Sequence, residues 1–414
     1  MLDSPTIVYQ KAAIALLFSL LTFLYWVFGQ RVRVDSRRQN LLLGLAFFLL
    51  RILPFVVVYV ILGYTARSDV PMFYDSALGA LKGGVVYRDF DTAYSPLFPY
   101  ITALPLLLWN TAEAITLLLL LTEGLAVWLT VRLYRSDKDV FHKAILYLLL
   151  PVPFVLSVLG GQEDILMWIF GAWALLVWQR RRDDLWTGII LGLGMVVTKA
   201  ILILTLIPVF FLVKNKFRYV GGLLLVGIPS LAVMYAVAGM EFLEPIQQAN
   251  DPRTPNIWTI LRPALGSLVP LGQKAVNWVG LVSILGLAGY LAYIYQQKRR
   301  FVAGFVNVWV VTYAFMMVMQ QSSLANYAYI YLLPMVFGVL SFDKKSHLLL
   351  LLLFNFAVVV QPAIWWGMNM PLFKSLSDFR YSWALAEYVL EIIIVGCLIA
   401  IVALGRHLPN TSPE

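Results

Sequence analysis

Charged residues are scarce in this chain. Only 13% of its 414 residues are Asp, Glu, Lys or Arg, whereas 61% are hydrophobic. Soluble domains carry about twice that share of charge, and a soluble fold has no interior large enough for so much apolar surface. The composition therefore predicts an all-α polytopic membrane protein.

Cysteine and histidine are almost absent as well. The chain has one Cys, Cys397, and three His. One cysteine excludes a disulfide within the chain, and so few ligands argue against a Cys/His zinc site. The net charge of +9 would suggest nucleic acid as the partner of a soluble domain. Here the basic residues lie in loops between apolar runs, so we expect membrane lipids and no nucleic acid.

The apolar runs predict one integral-membrane domain, 1–414, with about thirteen transmembrane helices (11–13, because three runs are short). The runs lie at 7–29, 41–63, 113–134, 144–160, 165–179, 185–199, 200–213, 219–238, 274–295, 301–319, 327–341, 347–364 and 384–405. Two long polar intervals remain, at 64–112 and 239–273. We interpret these as the first and second large outer loops, with the first one catalytic.

Basic clusters mark every second loop, which predicts that the N-terminus is outside and the C-terminus cytoplasmic. The clusters lie at 31–38, 132–143, 180–182, 214–218, 298–300, 344–345 and 406. If the run at 96–108 also crossed the membrane, the basic cluster at 132–143 would fall on the outer side and break this alternation. We therefore predict a short outer interfacial or re-entrant helix there, broken by Pro99 and Pro105.

The first outer loop carries acidic residues that could perform chemistry. Asp69 follows a predicted span directly, where a carboxylate can act as a general base on a sugar hydroxyl. Asp75 is expected to begin a short helix that ends before the glycine pair at 83–84. Asp89 and Asp91 are interpreted as solvated loop acids.

This loop resembles the first outer loop of the GT-C superfamily of membrane glycosyltransferases, above all the PIG-M-like mannosyltransferases of GPI assembly. The matching residues are Asp69, Phe73-Tyr74-Asp75-Ser76-Ala77, Gly83, Tyr87 and Tyr94-Ser95-Pro96-Leu97. The resemblance implies a polyprenyl-phosphate sugar donor, with Asp69 as the catalytic base and Asp75, Tyr87 and Tyr94 as substrate-binding residues. The family has a further Asp where this chain has Arg67, so no cofactor is certain and a divalent metal stays an open alternative.

Two further elements fall on the same predicted side. Members of the superfamily often carry Gly-Gln-x-Asp at the outer end of a span, and Gly161-Gln162-Glu163-Asp164 is similar. Gln162 and Asp164 are candidates for binding sugar hydroxyls, and the alternative for Asp164 is simple helix capping. Asn326, in a polar turn before a Tyr-rich run, is a third candidate, which an ordinary turn would also explain.

A polyprenyl-phosphate donor needs cations for its phosphate. Lys199, Arg253 and Arg262 are the candidates, because each is predicted to lie near the outer interface. The alternative is that they are interface anchors. Arg51 and Glu123 lie inside predicted spans and are expected to pair across helices.

The resemblance to the GT-C superfamily implies an inverting glycosyltransferase. It would transfer a sugar, mannose as first choice, from a polyprenyl-phosphate donor to a lipid-linked or surface glycan acceptor. The active site would face the extracytoplasmic or lumenal side of a prokaryotic plasma membrane or an ER membrane. A lipid or solute transporter or flippase, and a polysaccharide polymerase or ligase, are the alternatives.

Overall fold

The computed structural model describes residues 5–29, 35–243 and 251–407. Within these ranges every regular element is a helix, and the only β-type pairing is an isolated bridge between Val86 and Phe90. The expected all-α class is therefore confirmed for the described part of the chain.

The helices are named α1 to α17 in chain order. They are α1 Pro5–Phe28, α2 Arg38–Ile61, α3 Val70–Leu81, α4 Phe98–Leu107, α5 Ala112–Leu133, α6 Val140–Leu148, α7 Pro151–Leu159, α8 Ile165–Arg181, α9 Asp184–Val197, α10 Ala200–Leu212, α11 Lys216–Ala238, α12 Ile257–Leu265, α13 Lys274–Gln297, α14 Phe301–Met319, α15 Leu332–Gly338, α16 Lys345–Gly367 and α17 Ser382–Gly405. Short 3₁₀ segments lie at Gly266–Leu268, Ala325–Ile330 and Leu376–Arg380.

Eight of the described helices are long and apolar enough to cross a membrane, and the bent pair α6–α7 would make nine. A helix rises 1.5 Å per residue, so about 20 residues are needed to cross the hydrocarbon core. The predicted spans at 165–179, 185–199 and 200–213 correspond to the shorter helices α8, α9 and α10. The predicted span at 327–341 divides between a 3₁₀ turn and the seven-residue α15. Thirteen spans and the orientation therefore stay predictions.

Two details of the 64–112 interval differ from expectation or refine it. The helix does not begin at Asp75: α3 begins at Val70, with Asp69 at its N-cap position and a proline in its first turn. Proline is well tolerated there because its missing N–H has no intrahelical partner. The run at 96–108 forms the short α4, which changes from α to 3₁₀ geometry at Leu104, next to Pro105.

α14 is the centre of the bundle. In its most apolar 18-residue stretch, 94% of the residues are buried inside the protein. The Trp309 ring meets the Trp168 ring of α8 edge-on at 5.3 Å. Trp168 Nε1 donates to Thr130 Oγ1 of α5 at 2.8 Å, and Trp309 Nε1 donates to the Ile330 carbonyl at 3.1 Å. These contacts fix α8 between α5 and α14.

Two glycines allow α9 and α11 to cross in close contact. A Cβ atom at Gly188 would lie 2.1 Å from the Tyr219 carbonyl oxygen, and one at Gly222 would lie 2.2 Å from the Leu185 carbonyl oxygen. Small residues at a helix crossing are typical of membrane bundles, where van der Waals contact replaces the hydrophobic effect. α9 is therefore closely packed even though it has only 14 residues.

The predicted pairing of Arg51 with Glu123 is confirmed. Arg51 Nε lies 2.8 Å from Glu123 Oε2, Nη2 lies 3.0 Å from Oε1, and both side chains are fully buried. Arg51 Nη1 also donates to the Leu148 carbonyl at 3.0 Å, at the end of α6. There the chain bends by 53° into α7, which begins with Pro151. The guanidinium thus both neutralises Glu123 and satisfies a carbonyl at the bend.

Replacing Glu123 by Leu should destabilise the protein by about 3–5 kcal/mol, because Arg51 would stay buried without its counter-charge. The measurement is the melting temperature of the purified protein in detergent. The control is Arg88→Ala, which removes an exposed ion pair with Asp89 and should not change the melting temperature. A wild-type melting temperature for Glu123→Leu would contradict a stabilising role for the buried pair.

Candidate active site

A close backbone approach brings Asp69 next to the Gly-Gln-Glu-Asp turn. Gly161 has φ +53, and a Cβ atom there would lie 2.5 Å from Val70 Cγ2 and 3.1 Å from Thr116 Oγ1. Both the conformation and the lack of space favour glycine. Because Gly161 lies against the first residue of α3, the next residue, Gln162, reaches the side chain that precedes α3.

Three of the predicted site residues, from three separate segments, form one hydrogen-bonded chain. Gln162 Nε2 donates to Asp69 Oδ2 at 2.8 Å and to Ser68 Oγ at 3.1 Å. Asn326 Nδ2 donates to Gln162 Oε1 at 2.6 Å. Gln162 is buried, whereas Asp69 is partly exposed. The amide direction suits an ionised carboxylate, which can only accept.

Asp69 keeps one oxygen available for a substrate. Within the described residues, Oδ1 accepts no hydrogen bond from the protein. Its other oxygen is held by Gln162, so the carboxylate is oriented but still has free accepting capacity on its exposed side. This is the arrangement that a general base needs: a fixed position and an open lone pair.

Lys199, Glu163 and Asp164 form a charged group beside Asp69. Lys199 Nζ lies 2.7 Å from Asp164 Oδ1 and also forms an ion pair with Glu163. The Tyr94 and Tyr327 ring centroids lie 5.1 and 5.4 Å from the ammonium group, within cation–π range. These five residues are called the Lys199 cluster below.

Burial decides the protonation of the acids in this cluster. Burial raises the pKa of Glu163 to about 7; Asp164 and Asp69 add to the shift and Lys199 opposes it. Burial also raises the pKa of Asp164, again against Lys199. For Lys199, burial alone would lower the pKa, but the two carboxylates raise it well above its usual range. Lys199 is therefore charged at neutral pH, while Glu163 can gain or lose a proton.

The backbone and the ring of Tyr94 are both held in place by contacts with neighbouring segments, which keeps Tyr94 in the cluster. Ser95 N donates to the Thr198 carbonyl at 3.3 Å, next to Lys199. The Tyr94 ring stacks on Phe98 at 4.7 Å. Tyr87 has φ +67 and donates its buried hydroxyl to the Tyr94 carbonyl. Tyr87 thus supports the backbone of Tyr94, and its hydroxyl points into this contact and not toward Asp69.

The remaining predicted residues lie outside the cluster. Asp75 is exposed in the middle of α3 and has no side-chain hydrogen bond or ion pair within the described residues. Arg253 is partly buried, and its charge lowers the pKa of Tyr327 against the larger effect of burial. Arg262 lies on α12, where its Nε atom is buried without a partner in the described part of the chain. Both arginines thus stay available to an anion.

The described part of the second long polar interval, from residue 251 onward, is bound to the turn before Asn326. Arg253 N donates to the Gln321 carbonyl at 2.7 Å, and Ser323 Oγ donates to the Pro255 carbonyl at 2.8 Å. Trp258 Nε1 donates to the Met319 carbonyl at 2.7 Å. The segment that carries Arg253 is therefore fixed to the segment that carries Asn326.

The sequence did not single out Glu163 or Tyr327, or a buried polar group behind α12. Thr259 Oγ1 of α12 contacts Glu391 Oε2 at 2.9 Å, and Gln361 Nε2 of α16 donates to Glu387 Oε1 at 2.6 Å. The sequence signal for this group was the i, i+4 spacing of Glu387 and Glu391 inside an apolar run. Such a spacing places both carboxyl groups on one helix face, where a charge inside a membrane needs a polar partner. For Glu163, the signal was its place between two predicted site residues.

The comparisons with known proteins name the family. The family model for glycosyltransferase family 87 matches residues 93–320, which is more than half of the chain. The chain therefore belongs to glycosyltransferase family 87, a GT-C-type family, and is an integral membrane glycosyltransferase. No curated protein and no solved structure matches it. The matched range contains the whole Lys199 cluster except Tyr327, but begins after Asp69 and ends before Asn326.

The raised pKa of Glu163 predicts a pH-dependent stability. The folded protein holds this proton more tightly than the unfolded chain, whose Glu has a pKa of about 4.3. Stability from this group is thus complete below about pH 4 and is lost as the pH rises toward 7. The loss should reach about 4 kcal/mol once the pH has passed 7, at 1.4 kcal/mol per pH unit. Asp164 acts in the same direction, whereas Lys199 titrates above this range.

Melting temperatures of wild type and Glu163→Gln between pH 4.5 and 8 check this prediction. The wild-type curve should fall through this range, and Glu163→Gln should flatten it because glutamine keeps the shape without the proton. Asp91→Asn, at an exposed carboxylate between α3 and α4, is the control and should follow wild type. Parallel curves of melting temperature against pH for wild type and Glu163→Gln would contradict the raised pKa of Glu163.

Proposed function

We propose that the protein transfers a sugar, with mannose as the first candidate, from a polyprenyl-phosphate donor to an acceptor hydroxyl on the extracytoplasmic or lumenal side. The acceptor would be a lipid-linked or surface glycan. The observation that carries the proposal is the partly exposed Asp69 carboxylate, which accepts a hydrogen bond on one oxygen from Gln162, whose own amide oxygen accepts one from Asn326.

The reaction is a single displacement at the anomeric carbon. Asp69 accepts the proton of the acceptor hydroxyl as the hydroxyl oxygen forms its bond to the anomeric carbon. The bond from that carbon to the phosphate oxygen breaks, and its electron pair leaves with the polyprenyl phosphate. Attack opposite the leaving group inverts the configuration. An oriented general base contributes about 100- to 10,000-fold to such a step.

Recognition of the donor phosphate is assigned to Arg253 and Arg262, supported by Lys199. Neither arginine is in an ion pair within the described residues, and a guanidinium matches phosphate through paired N–H groups. Lys199 already faces two carboxylates, so its charge is available to a phosphate only when at least one of them is protonated. The raised pKa of Glu163 makes that protonation accessible near neutral pH.

A divalent metal was the open alternative for phosphate neutralisation. Among the described residues, no group of three or more His, Cys, Asp or Glu side chains is arranged to hold a metal ion. Asp69 accepts a hydrogen bond from the Gln162 amide, and Glu163 and Asp164 face Lys199, whose ammonium group is already their counter-charge. These residues as arranged do not fit a metal site, so no step of the proposed reaction passes through one.

Asp69→Asn should lower kcat at least about 100-fold, because asparagine keeps the contact with Gln162 but cannot take a proton. The assay is transfer of labelled mannose from polyprenyl-phosphate mannose by the purified protein in nanodiscs. Asp91→Asn is the matched control and should retain activity. Wild-type turnover by Asp69→Asn would exclude Asp69 as the base.

Arg253→Ala should raise KM for the donor about 10- to 100-fold with a smaller effect on kcat, because a charge-assisted contact to phosphate is worth about 1.5–3 kcal/mol. Lys274→Ala removes an exposed cation next to the same loop and should leave KM unchanged. An equal KM for Arg253→Ala and wild type would remove Arg253 from the donor site.

A further inference from the structure

A second candidate site lies at the opposite end of the helices that carry the first. Gln162 and Asp164 precede the N-terminus of α8, whereas Trp178 and Arg182 at its other end line a pocket of about 1160 Å³. The 17 residues of α8 separate the two places by about 26 Å at 1.5 Å per residue. The pocket, called the basic pocket below, is therefore independent of Asp69 and the Lys199 cluster.

The acids of the basic pocket are already engaged by the protein. Asp184 Oδ2 accepts from Asn215 N at 2.7 Å, and its Oδ1 accepts from Trp178 Nε1 at 3.2 Å. Asp183 caps α9 through Leu185 N and forms an ion pair with Arg218 at 2.8 Å. Both carboxylates thus hold the turns around the pocket together and leave little accepting capacity for an outside cation.

The basic residues of the pocket exceed these acids. The pocket is lined by six cationic side chains, Arg182, Lys214, Lys216, Arg218, Arg299 and Arg300, against two acidic ones. Lys214 and Arg299 are exposed and make no ion pair within the described residues. A concave surface with such an excess of positive charge attracts an anion with more than one negative oxygen.

The walls of the pocket are aromatic and adjoin a lipid-facing helix. Trp178 stacks on Phe301 at 4.2 Å, and the Arg182 guanidinium lies 4.5 Å from the Trp178 ring. Phe217, at the start of α11, is 93% exposed. Only 11% of the most apolar 18-residue stretch of α11 is buried in the protein. Most side chains of α11 are therefore available for contact with lipid. An anion that enters here meets apolar surface as well as charge.

We propose that the basic pocket binds the phosphate head group of an anionic lipid. Basic pockets between membrane helices are suited to phosphorylated head groups, and the exposed Phe217 offers a contact for the attached chains. Free inorganic phosphate carries the same kind of charge, but it has no apolar part that could contact the aromatic wall. The proposal does not depend on the sugar, the donor or the role of Asp69.

The test uses the full chain in detergent and native mass spectrometry, titrated with phosphatidylglycerol, with phosphatidylcholine and with inorganic phosphate. Wild type should bind phosphatidylglycerol at least about tenfold more tightly than phosphatidylcholine, at one site. The double variant Lys214→Ala/Arg299→Ala should lose this preference. The matched control Arg135→Ala/Lys138→Ala removes the same two residue types, both exposed, from another basic loop and should keep it.

Two results would overturn the proposal. Equal loss of preference in both double variants would show that the lipid responds to general surface charge and not to the pocket. Inorganic phosphate that displaces the lipid at equal concentration would show a soluble anion site. The melting temperatures of the double variants verify that all of the proteins are folded, and transferase activity serves as a separate readout that the lipid result does not affect.

Discussion

The structure of the candidate site depends on how a buried lysine and its acids neutralise each other. Lys199 follows α9, whereas Glu163 and Asp164 precede α8, so the ion pairs join the ends of two neighbouring helices. Each group alone would be costly to bury, and removing one would leave the others uncompensated. The pairs therefore constrain the turn that also carries Gln162, and through Gln162 the orientation of Asp69.

Much of this site follows from the sequence, but the partners do not. Charge parity placed Asp69, Gln162, Asp164, Lys199 and Asn326 on one side of the membrane, and the structure brings all five together. Which side chain meets which depends on backbone details that no periodicity encodes, such as the positive φ of Gly161. Asp164 was open to interpretation as a helix cap, yet its side chain caps nothing and binds Lys199.

The positions of the helices could be predicted from local sequence, but their lengths depend on tertiary contacts. Apolar runs located nearly every helix, because hydrophobicity is a local property of the chain. Run length alone did not distinguish a full span from α9, which is short and is buried by its glycine-mediated contact with α11. The start of α3 was misplaced by five residues because Pro71 in the first turn outweighs the acidic start signal at Asp75.

The charge distribution gives the two ends of α8 different chemistry. At one end, two carboxylates face a single lysine and a third, Asp69, lies beside them, so an approaching phosphate meets net negative charge unless a proton is held or Arg253 and Arg262 compensate. That end suits proton removal from a neutral hydroxyl, for which a nearby negative charge is no obstacle. At the other end, six cations surround two acids that are already paired, which suits a permanent anion. The helix α8 thus separates a site rich in carboxylates from a pocket rich in cations, and the difference follows from which carboxylates the protein itself has satisfied.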